Sequence, residues 1–418
     1  RTPRPATRLP LPAPRPRQHE RERGPRAERA LDRDVAVHRV RQLPADREPE
    51  PHALAPVRAG AVHLPLNPSY TAAEVRYFLE DSEPALFIGD PGRSAGARRT
   101  ETLAGFAEAA SSAPSGFEDV ERAPDDLAAI LYTSGTTGRS KGAMLTHGNL
   151  ASNAETLREA WRFTARDRLL HALPIFHTHG LFVATNVTLL AGGSILFLPA
   201  FDLDEIVRLL PRATAMMGVP TYYTRLLSRA DFTRELAAHI RLFVSGSAPL
   251  SAETHREFEA RTGHAILERY GMTETNMNTS NPYDGPRVAG TVGQPLPGVE
   301  IRIADPGTGA EQPPGEVGMI EIRGPNVCKG YWRMPDRTEE AFRDDGFFIS
   351  GDLGQFDVLD DDSRNWPATS VGASVDFSWV LTARHKTSTW EYFIGGTKVA
   401  SFDDGGAQPS AVVNHKIN

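Results

Sequence analysis

Residues 131–142 bring three glycines, five serine or threonine hydroxyls and two cations together directly after an apolar run. Glycines let backbone N–H groups approach oxygen atoms closely because they carry no Cβ, and the hydroxyls add further donors. Lys141 supplies a point charge, so the composition suits a polyphosphate. The spacing differs from that of a Walker loop, G-x-x-x-x-G-K-[S/T], since only two residues separate Gly138 from Lys141. A flexible surface loop is the alternative interpretation.

The elements around this loop must position it. Residues 127–131 predict a buried strand and a helix is predicted from Asn149 onward, which gives the order strand, loop, helix. Strand-like runs then alternate with helix-like segments, which indicates an α/β fold of mostly parallel sheets covered by helices, with ligands at the carboxyl ends of the strands. Residues 290–330 predict a small antiparallel β element. The alternating part has predicted strands at residues 169–173, 194–198, 215–219 and 241–245, and predicted helices at residues 203–210 and 252–260.

The composition excludes several classes of protein. The chain has 418 residues, a net charge of −7 and a pI near 6.0, which argues against a nucleic-acid surface as its main function. Its one cysteine, Cys328, rules out an internal disulfide framework and fits a reducing compartment. The chain has no apolar run of about 18 residues and no secretory pattern. We therefore predict a cytoplasmic protein without nucleic-acid or membrane partners, and its oligomeric state stays open.

Two further strings follow the glycine-rich loop: residues 270–275, Tyr-Gly-Met-Thr-Glu-Thr, and residues 350–353, Ser-Gly-Asp-Leu. With the loop, in this order and at this spacing, they resemble the signature of the AMP-forming adenylating superfamily, which includes acyl-CoA synthetases, luciferases and adenylation domains of peptide synthetases. The resemblance runs from residue 58 to residue 357. It implies the large N-terminal domain of that superfamily, layered mostly parallel sheets with a small β-rich element, and ATP, Mg²⁺ and the co-substrate CoA.

The resemblance also implies roles for single residues. Adenylation brings a carboxylate to the α-phosphate of ATP, and positioning and electrostatics do most of the work. Glu274, with Thr133, corresponds to the magnesium site of the superfamily, and Asp352 corresponds to the carboxylate that accepts the ribose hydroxyls. Without the surrounding strings, Glu274 reads as a helix cap or surface residue and Asp352 as a turn residue. The implied nucleotide-binding residues are Thr133, Ser134, Gly135, Thr136, Thr137, Gly138, Lys141, Ser247, Ala248, Pro249, Tyr270, Gly271, Met272, Thr273 and Asp352, and the implied catalytic residues are Lys141, His177 and Glu274.

The substrate pocket is predicted from two arginines and a histidine. His177 corresponds to the histidine that lies near the substrate carboxylate, whereas the role of His179 is open. Arg225 is predicted on the first turn of a helix that lines the pocket, and Arg269 directly precedes Tyr270. Two guanidinium groups in an acyl pocket would be costly without an anion, which suggests a second carboxylate on the substrate.

Residues 268–285 are similar to the malonyl-CoA synthetase branch in particular. That resemblance implies that Arg225, Arg269 and a serine of the turn, Ser245 or Ser247, hold the distal carboxylate. The alternative is that Arg225 points to solvent and Arg269 pairs with Glu268 or Glu274.

Both ends of the chain depart from the superfamily pattern. Residues 1–57 are rich in arginine and proline and are predicted to be disordered, either as a basic arm or as out-of-frame or wrong-start sequence. Residues 358–418 form a tail that does not match the small C-terminal domain of the superfamily, so residues 58–357 are predicted to be an adenylation core that is incomplete at its N-terminal end. Position 367 is proline where an arginine is expected, and the three lysines of the tail stand outside a glycine-rich context: Lys386, Lys398 and Lys416.

The predicted function is ATP-dependent activation of malonate or methylmalonate to an acyl adenylate and then an acyl-CoA. The unusual tail predicts that the thioester step is impaired in this chain. The alternatives are an acyl- or aryl-CoA synthetase of other specificity, or a catalytically inactive nucleotide-binding remnant.

Overall fold

The computed structural model describes residues 59–94, 97–112, 118–133 and 139–358, and the backbone of three strands beyond them, at residues 375–379, 389–394 and 397–403. The predicted disordered segment, residues 1–57, lies outside the described residues, and so does most of the predicted tail, including Pro367, Lys386 and Lys416. Within the described residues, no helix is both long and apolar enough to cross a membrane.

Several helices begin where a side-chain cap satisfies the first free backbone N–H groups. Thr71 and Glu74 form a capping box at the start of α1, and Thr146 and Asn149 form another at the start of α3. The α-helices of the described residues are α1 Ala72–Ser82, α2 Leu103–Ser111, α3 His147–Ala160, α4 Thr185–Leu190, α5 Leu203–Leu209, α6 Pro220–Leu227, α7 Arg234–Ala237, α8 Ala252–Thr262 and α9 Pro335–Ala341. A π-helix, His179–Ala184, leads directly into α4.

The strands range from two to eleven residues. They are β1 Phe87–Ile88, β2 Thr100–Glu101, β3 Leu127–Thr133, β4 Lys141–Thr146, β5 Arg168–His171, β6 Ser194–Phe197, β7 Ala215–Gly218, β8 Leu242–Ser245, β9 Leu267–Met272, β10 Asn276–Ser280, β11 Thr291–Pro295, β12 Glu300–Ala304, β13 Gly318–Arg323, β14 Phe348–Val358, β15 Val375–Trp379, β16 Thr389–Ile394 and β17 Thr397–Asp403.

The largest sheet has eleven strands in the order β12-β13-β14-β15-β11-β10-β9-β8-β7-β5-β6. Neighbouring strands from β9 to β6 pair in parallel, and β7 and β8 are buried along their whole length, as parallel strands covered on both faces are. From β9 to β12 the pairs are antiparallel. The predicted α/β class and the antiparallel element in residues 290–330 are therefore confirmed.

The core lies on both faces of the parallel half of the sheet. Trp161 and Leu169 belong to the cluster on one side, and Phe243 and Phe258 belong to the cluster on the other. Burying an aromatic side chain of this size stabilises the fold by roughly 2–3 kcal/mol. The two clusters fix β7, β8 and β9 as a rigid support for whatever lies at their carboxyl ends.

The glycine-rich loop belongs to a hairpin and not to a strand-loop-helix unit. β3 pairs with β4 in antiparallel fashion, with Thr133 opposite Lys141, and α3 begins only after β4, at His147. The predicted order was wrong because residues 141–146 continue the loop composition at their start and read as part of it. They form a strand because β4 also exchanges backbone hydrogen bonds with the segment around Gly330 on its other edge.

Candidate active site

β7 and β8 end side by side at one edge of the sheet, and β9 continues past them. Gly218 of β7 is the register partner of Ser245 of β8, and Ser245 is the partner of Glu268 of β9. The chain leaves β8 through Gly246 and Ser247, and Ser247 has a left-handed backbone with φ of 67°. This turn directs the Ser247 side chain back across the strand ends.

Arg269 lies at this edge as a buried cation without a carboxylate partner among the described residues. Its side chain is 2% exposed, and Nη2 donates to Ser247 Oγ at 3.5 Å. Nε and Nη1 are buried and have no hydrogen-bond partner in the described part of the chain. Burial lowers the pKa of Arg269 to about 9, which still leaves the guanidinium charged at neutral pH. The group lies flat against Gly246, where an added Cβ would come within 2.4 Å of Arg269 Cζ.

The neighbouring carboxyl of Glu268 does not neutralise Arg269. Its Oε1 accepts a hydrogen bond from the backbone N–H of Leu250 at 2.9 Å, and its Oε2 has no partner within the described residues. Burial raises the pKa of Glu268 to about 8, so the carboxyl is largely protonated at neutral pH. The alternative in which Arg269 pairs with Glu268 or Glu274 is therefore not the arrangement in this structure.

The two histidines of the 174–180 segment differ in burial and in their neighbours. His179 is buried, and its Nδ1 lies 3.2 Å from Ser247 Oγ. His177 is exposed, with its ring against Phe176 at a centroid distance of 4.6 Å. The structure therefore brings His179, and not His177, together with Ser247 and Arg269.

Arg225 is not on the first turn of its helix, so that prediction was wrong. α6 begins at Pro220, whose fixed φ suits the first helical position, and Arg225 consequently falls in the last turn. The side chain is exposed and its Cζ lies 5.3 Å from the centre of the Phe201 ring. In this conformation Arg225 does not meet Arg269.

A second group of side chains surrounds the hairpin β3–β4. Lys141 Nζ lies 4.2 Å from the centre of the Tyr331 ring, and the Tyr331 hydroxyl donates to Glu274 Oε1 at 3.1 Å. Thr133 Oγ1 lies 3.4 Å from the same Glu274 oxygen. The five loop residues predicted to bind phosphate lie outside the described residues: Ser134, Gly135, Thr136, Thr137 and Gly138.

Glu274, the predicted magnesium ligand, is a buried carboxyl group. Burial raises its pKa, and the nearby Lys141 charge opposes that rise. No cluster of three metal-ligating side chains occurs in the described residues. A single carboxylate is nevertheless the usual protein share of a Mg²⁺ site that is completed by phosphate oxygens and water. Glu274 and Thr133 are the residues that would hold the ion.

Tyr331 is a functional candidate that the sequence interpretation missed. Its backbone forms an isolated bridge to Ala143 of β4, and the preceding Cys328 donates its backbone N–H to the Glu274 carbonyl at 2.7 Å. The segment 328–331 therefore connects β4 to the residue that carries the carboxylate. Burial raises the pKa of Cys328 to about 12, so its thiol is inert.

The predicted ribose carboxylate lies beside the predicted adenine residue. Tyr270 is buried and its hydroxyl donates to Asp352 Oδ2 at 2.8 Å. Ser350 Oγ accepts from the Asp352 backbone N–H at 3.0 Å and donates to the Ile320 carbonyl at 2.7 Å, which fixes the turn. The contact of the Tyr270 ring with adenine stays a prediction.

The other predicted nucleotide residues lie in the turns on either side of these groups. Gly271 is close-packed, since a Cβ there would meet the Asn276 carbonyl of β10 at 2.0 Å. Met272 ends β9 with its Sδ 3.8 Å from the Tyr270 hydroxyl, and Thr273 follows it, partly buried. Ala248 and Pro249 belong to the turn between β8 and α8.

A cavity of about 470 Å³ adjoins the Tyr331 side of the hairpin. It is lined by Met144, Tyr331, Arg333, Met334, Pro335, Thr338 and Glu339. The residues around Arg269 are not part of it, so it is separate from the arginine cluster.

Comparison with known proteins gives two family matches. The model of the AMP-binding enzyme family matches residues 52–332. The model of the lytic polysaccharide mono-oxygenases, described as cellulose-degrading, matches residues 314–409. The second match covers less than half of the chain and overlaps the first, so it stands as a similarity of that segment.

Similarities to individual proteins agree with the match to the AMP-binding enzyme family. A malonate–CoA ligase of Arabidopsis thaliana is 37% identical over 338 residues, which are 72% of this chain and 54% of the relative. The chain thus spans about half the length of that relative. The ATP-bound crystal structure of MatB from Rhodopseudomonas palustris is 55% identical with a TM-score of 0.73, covering 83% of this chain and 68% of that one. A malonyl-CoA ligase with methylmalonyl-CoA and AMP bound is 36% identical with a TM-score of 0.66, covering 83% and 71%.

Proposed function

Because this chain belongs to the family of AMP-binding enzymes, we propose that it activates a small dicarboxylate, malonate or methylmalonate, by ATP-dependent adenylation and then forms the CoA thioester. The observation that carries this proposal is the buried Arg269 guanidinium, whose Nε and Nη1 atoms have no acceptor in the described residues. The resemblance to ligases named for malonate and methylmalonyl-CoA supports the same choice.

The charge of Arg269 selects the substrate class. Removing a cation from water costs several kcal/mol unless an anion and good hydrogen bonds compensate. An alkyl or aryl acid would place apolar atoms against this cation, whereas a distal carboxylate would accept charge-assisted hydrogen bonds from Nε and Nη1. Ser247 adds a hydroxyl to the same group through its contact with Arg269.

The first half-reaction joins the near carboxylate of the substrate to the α-phosphorus of ATP while pyrophosphate leaves. Lys141 and the hairpin loop would bind the β- and γ-phosphates, and Asp352 would accept the ribose hydroxyls. Glu274 and Thr133 would hold Mg²⁺, which supplies charge neutralisation at the phosphate oxygens when bound. Roles for His177 and Arg225 at the acid stay predictions, since both side chains are exposed in this structure.

The proposal includes the organisation and location of the chain. We propose that residues 58–357 form the adenylation core, that residues 1–57 lie outside it, and that the enzyme works in the cytoplasm. Of the residues after 358, the backbone of β15 joins the largest sheet between β14 and β11. The supporting observation is the single buried cysteine, which fits a reducing compartment. Cell fractionation with an antibody against the core tests the location, and recovery in an organelle would refute it.

Pyrophosphate exchange into ATP tests the proposed function directly. The 418-residue chain is supplied with malonate, methylmalonate, acetate, butyrate or coumarate at equal concentration, and each exchange rate is measured. We expect exchange with the two dicarboxylates to exceed that with butyrate by at least about tenfold, the effect of one charged hydrogen bond. A preference for butyrate or coumarate would instead support an acyl- or aryl-CoA synthetase. ATP binding without exchange for any acid would support a nucleotide-binding remnant.

A further inference from the structure

We infer that Tyr77 and Asp81 of α1 are positioning residues: through the hairpin β3–β4 they hold Lys141 where it meets the β- and γ-phosphates of ATP. This inference rests on the proposed function, which assigns those phosphates to Lys141. It adds two residues that stand far from the glycine-rich loop in the sequence, since their contacts with the hairpin span 63 and 51 positions.

One face of α1 packs against the hairpin. Tyr77 and Asp81 are four positions apart, so they lie on the same face of the helix. Between them in the sequence, Phe78 is 2% exposed, and its ring lies 4.6 Å from the Tyr132 ring of β3, measured between the centroids. This aromatic contact holds α1 on the hairpin and leaves the two polar side chains to bind its ends.

Tyr77 fixes the backbone that leads into Lys141. The ladder of β3 and β4 ends at the pair of Thr133 with Lys141, so Ser140 lies just outside it. The Tyr77 hydroxyl donates to the Ser140 carbonyl at 2.7 Å. Burial raises the pKa of Tyr77, so the hydroxyl keeps the hydrogen that it donates. Arg139 Cζ lies 5.8 Å from the centre of the same ring, so both residues before Lys141 contact Tyr77.

Asp81 holds the other side of the loop. The Tyr132 hydroxyl donates to Asp81 Oδ2, and burial together with this hydrogen bond raises the pKa of Tyr132. The backbone carbonyl of Asp81 accepts from Trp332 Nε1 at 3.2 Å. Tyr132 directly precedes Thr133, and Trp332 directly follows Tyr331. The end of α1 is therefore bonded to the chain neighbours of two residues of the candidate site.

These contacts affect the polyphosphate part of the ligand. Lys141 is proposed to bind phosphates that AMP lacks, whereas Tyr270 on β9 and Asp352 on β14 are proposed for the nucleoside. A charged hydrogen bond depends on the position of its donor, so a shift of the hairpin lowers the affinity for ATP and leaves the affinity for AMP unchanged. A general loss of structure would lower both affinities.

Calorimetry on the full 418-residue chain with Mg²⁺ gives the dissociation constants of ATP and of AMP. Tyr77→Phe keeps the ring against Arg139 and removes only the hydroxyl. Tyr70→Phe is the matched control, because Tyr70 belongs to the same ring cluster, 5.0 Å from Phe78 between centroids, but precedes α1. We expect Tyr77→Phe to weaken ATP binding by about three- to tenfold, the effect of one neutral hydrogen bond, and to leave AMP binding within about twofold. Tyr70→Phe should change neither.

The two ways of failing are distinguishable. Equal losses for ATP and AMP in Tyr77→Phe would show a merely structural role and overturn the inference, and so would an unchanged ATP affinity. A wild-type protein that binds ATP no more tightly than AMP would instead refute the phosphate role of Lys141, which is part of the proposed function.

A double-mutant cycle shows whether Tyr77 acts through Lys141. In a Lys141→Ala background the group to be positioned is gone, so adding Tyr77→Phe should change ATP affinity by less than about twofold. Losses that multiply, with Tyr77→Phe costing as much in this background as in wild type, would overturn the inference.

A pair of substitutions at Asp81 tests the other side of the loop. Asp81→Leu removes the acceptor of Tyr132 and should weaken ATP binding by about tenfold or more, as expected for a hydrogen bond to a charged group. Asp81→Asn keeps an acceptor and should stay within about threefold of wild type. AMP binding should change by less than about twofold in both variants. Equal losses of ATP affinity in the two variants would overturn the role of Asp81.

Discussion

Substituting Gly246 by alanine tests the arginine pocket without removing a polar group. A Cβ at Gly246 would lie 2.4 Å from Arg269 Cζ and 2.5 Å from both Nε and Nη1. Ordinary contacts of this kind start at 3.4 Å, so the guanidinium has to move by about 1 Å. A misplacement of that size costs about 10²-fold in a positioned reaction. The overpacking itself is expected to destabilise the fold by about 1–3 kcal/mol.

The measurement compares pyrophosphate exchange for malonate and butyrate in wild type and Gly246→Ala. We expect the rate with malonate to fall by about 10²-fold and the rate with butyrate to change by less than about threefold, because butyrate has no distal carboxylate for the displaced group to hold. Gly307→Ala is the control, since a Cβ there meets only ordinary contact, with Asp305 Oδ1 at 3.4 Å. An unchanged malonate rate in a folded Gly246→Ala protein would refute the role of Arg269.

Four further perturbations test other parts of the site. Combining Lys141→Ala with Thr137→Ala should weaken ATP binding by a few kcal/mol, about two charge-assisted hydrogen bonds, and calorimetry showing unchanged binding would contradict the phosphate role. Tyr331→Phe should raise the Mg²⁺ concentration needed for ATP binding by about tenfold, the usual effect of losing a group that orients a metal ligand, whereas Tyr222→Phe should not. Arg269→Ala should lower kcat/KM for malonate by about 10²-fold or more, whereas Arg225→Ala should lower it much less because its side chain is exposed, and equal losses in the two variants would contradict this. Glu268→Gln should remove a pH dependence of stability. The pKa of Glu268 in the folded protein, about 8, lies above its ordinary value of 4.5, so the stabilisation is full below about pH 4.5 and falls as pH rises towards 8. The expected slope is about 1.4 kcal/mol per pH unit, measured by urea unfolding, and an identical slope in the variant would contradict it.

The sequence predicts the parallel half of the sheet well because its strands are continuous apolar runs. The observed β5, β6, β7 and β8 each fall within or next to the predicted strand, and α5 and α8 overlap the predicted helices. β4 was missed because its first residues, Lys141 and Gly142, have loop composition. Its pairing depends on a segment near Gly330 that is remote in the sequence.

The sequence points to candidate residues only where they stand in a recognisable string. Tyr270, Glu274 and Asp352 stand in such strings, but the hydrogen bond between Tyr270 and Asp352 was not predicted, because the two residues are 82 positions apart. The choice between His177 and His179 does not follow from a string, because it depends on the π-helix and on the close packing of Gly180. Tyr331 contributes through a hydrogen bond between residues 57 positions apart, which no local pattern contains.

One hairpin carries both halves of the proposed chemistry. Arg269 and Tyr270 are consecutive residues of β9, so their Cα atoms are about 3.8 Å apart, and Glu274 lies in the turn to β10. The hairpin is held from outside by amides: Asn153 Nδ2 donates to the Met277 carbonyl at 2.8 Å, and Asn326 Nδ2 donates to the Thr275 carbonyl at 2.6 Å. Because the acid pocket and the nucleotide groups lie on the same backbone, a shift of β9 affects both. Gly246 follows β8 and packs against the Arg269 guanidinium. Its substitution can therefore displace that guanidinium, and with it the proposed acid pocket, without a shift of β9.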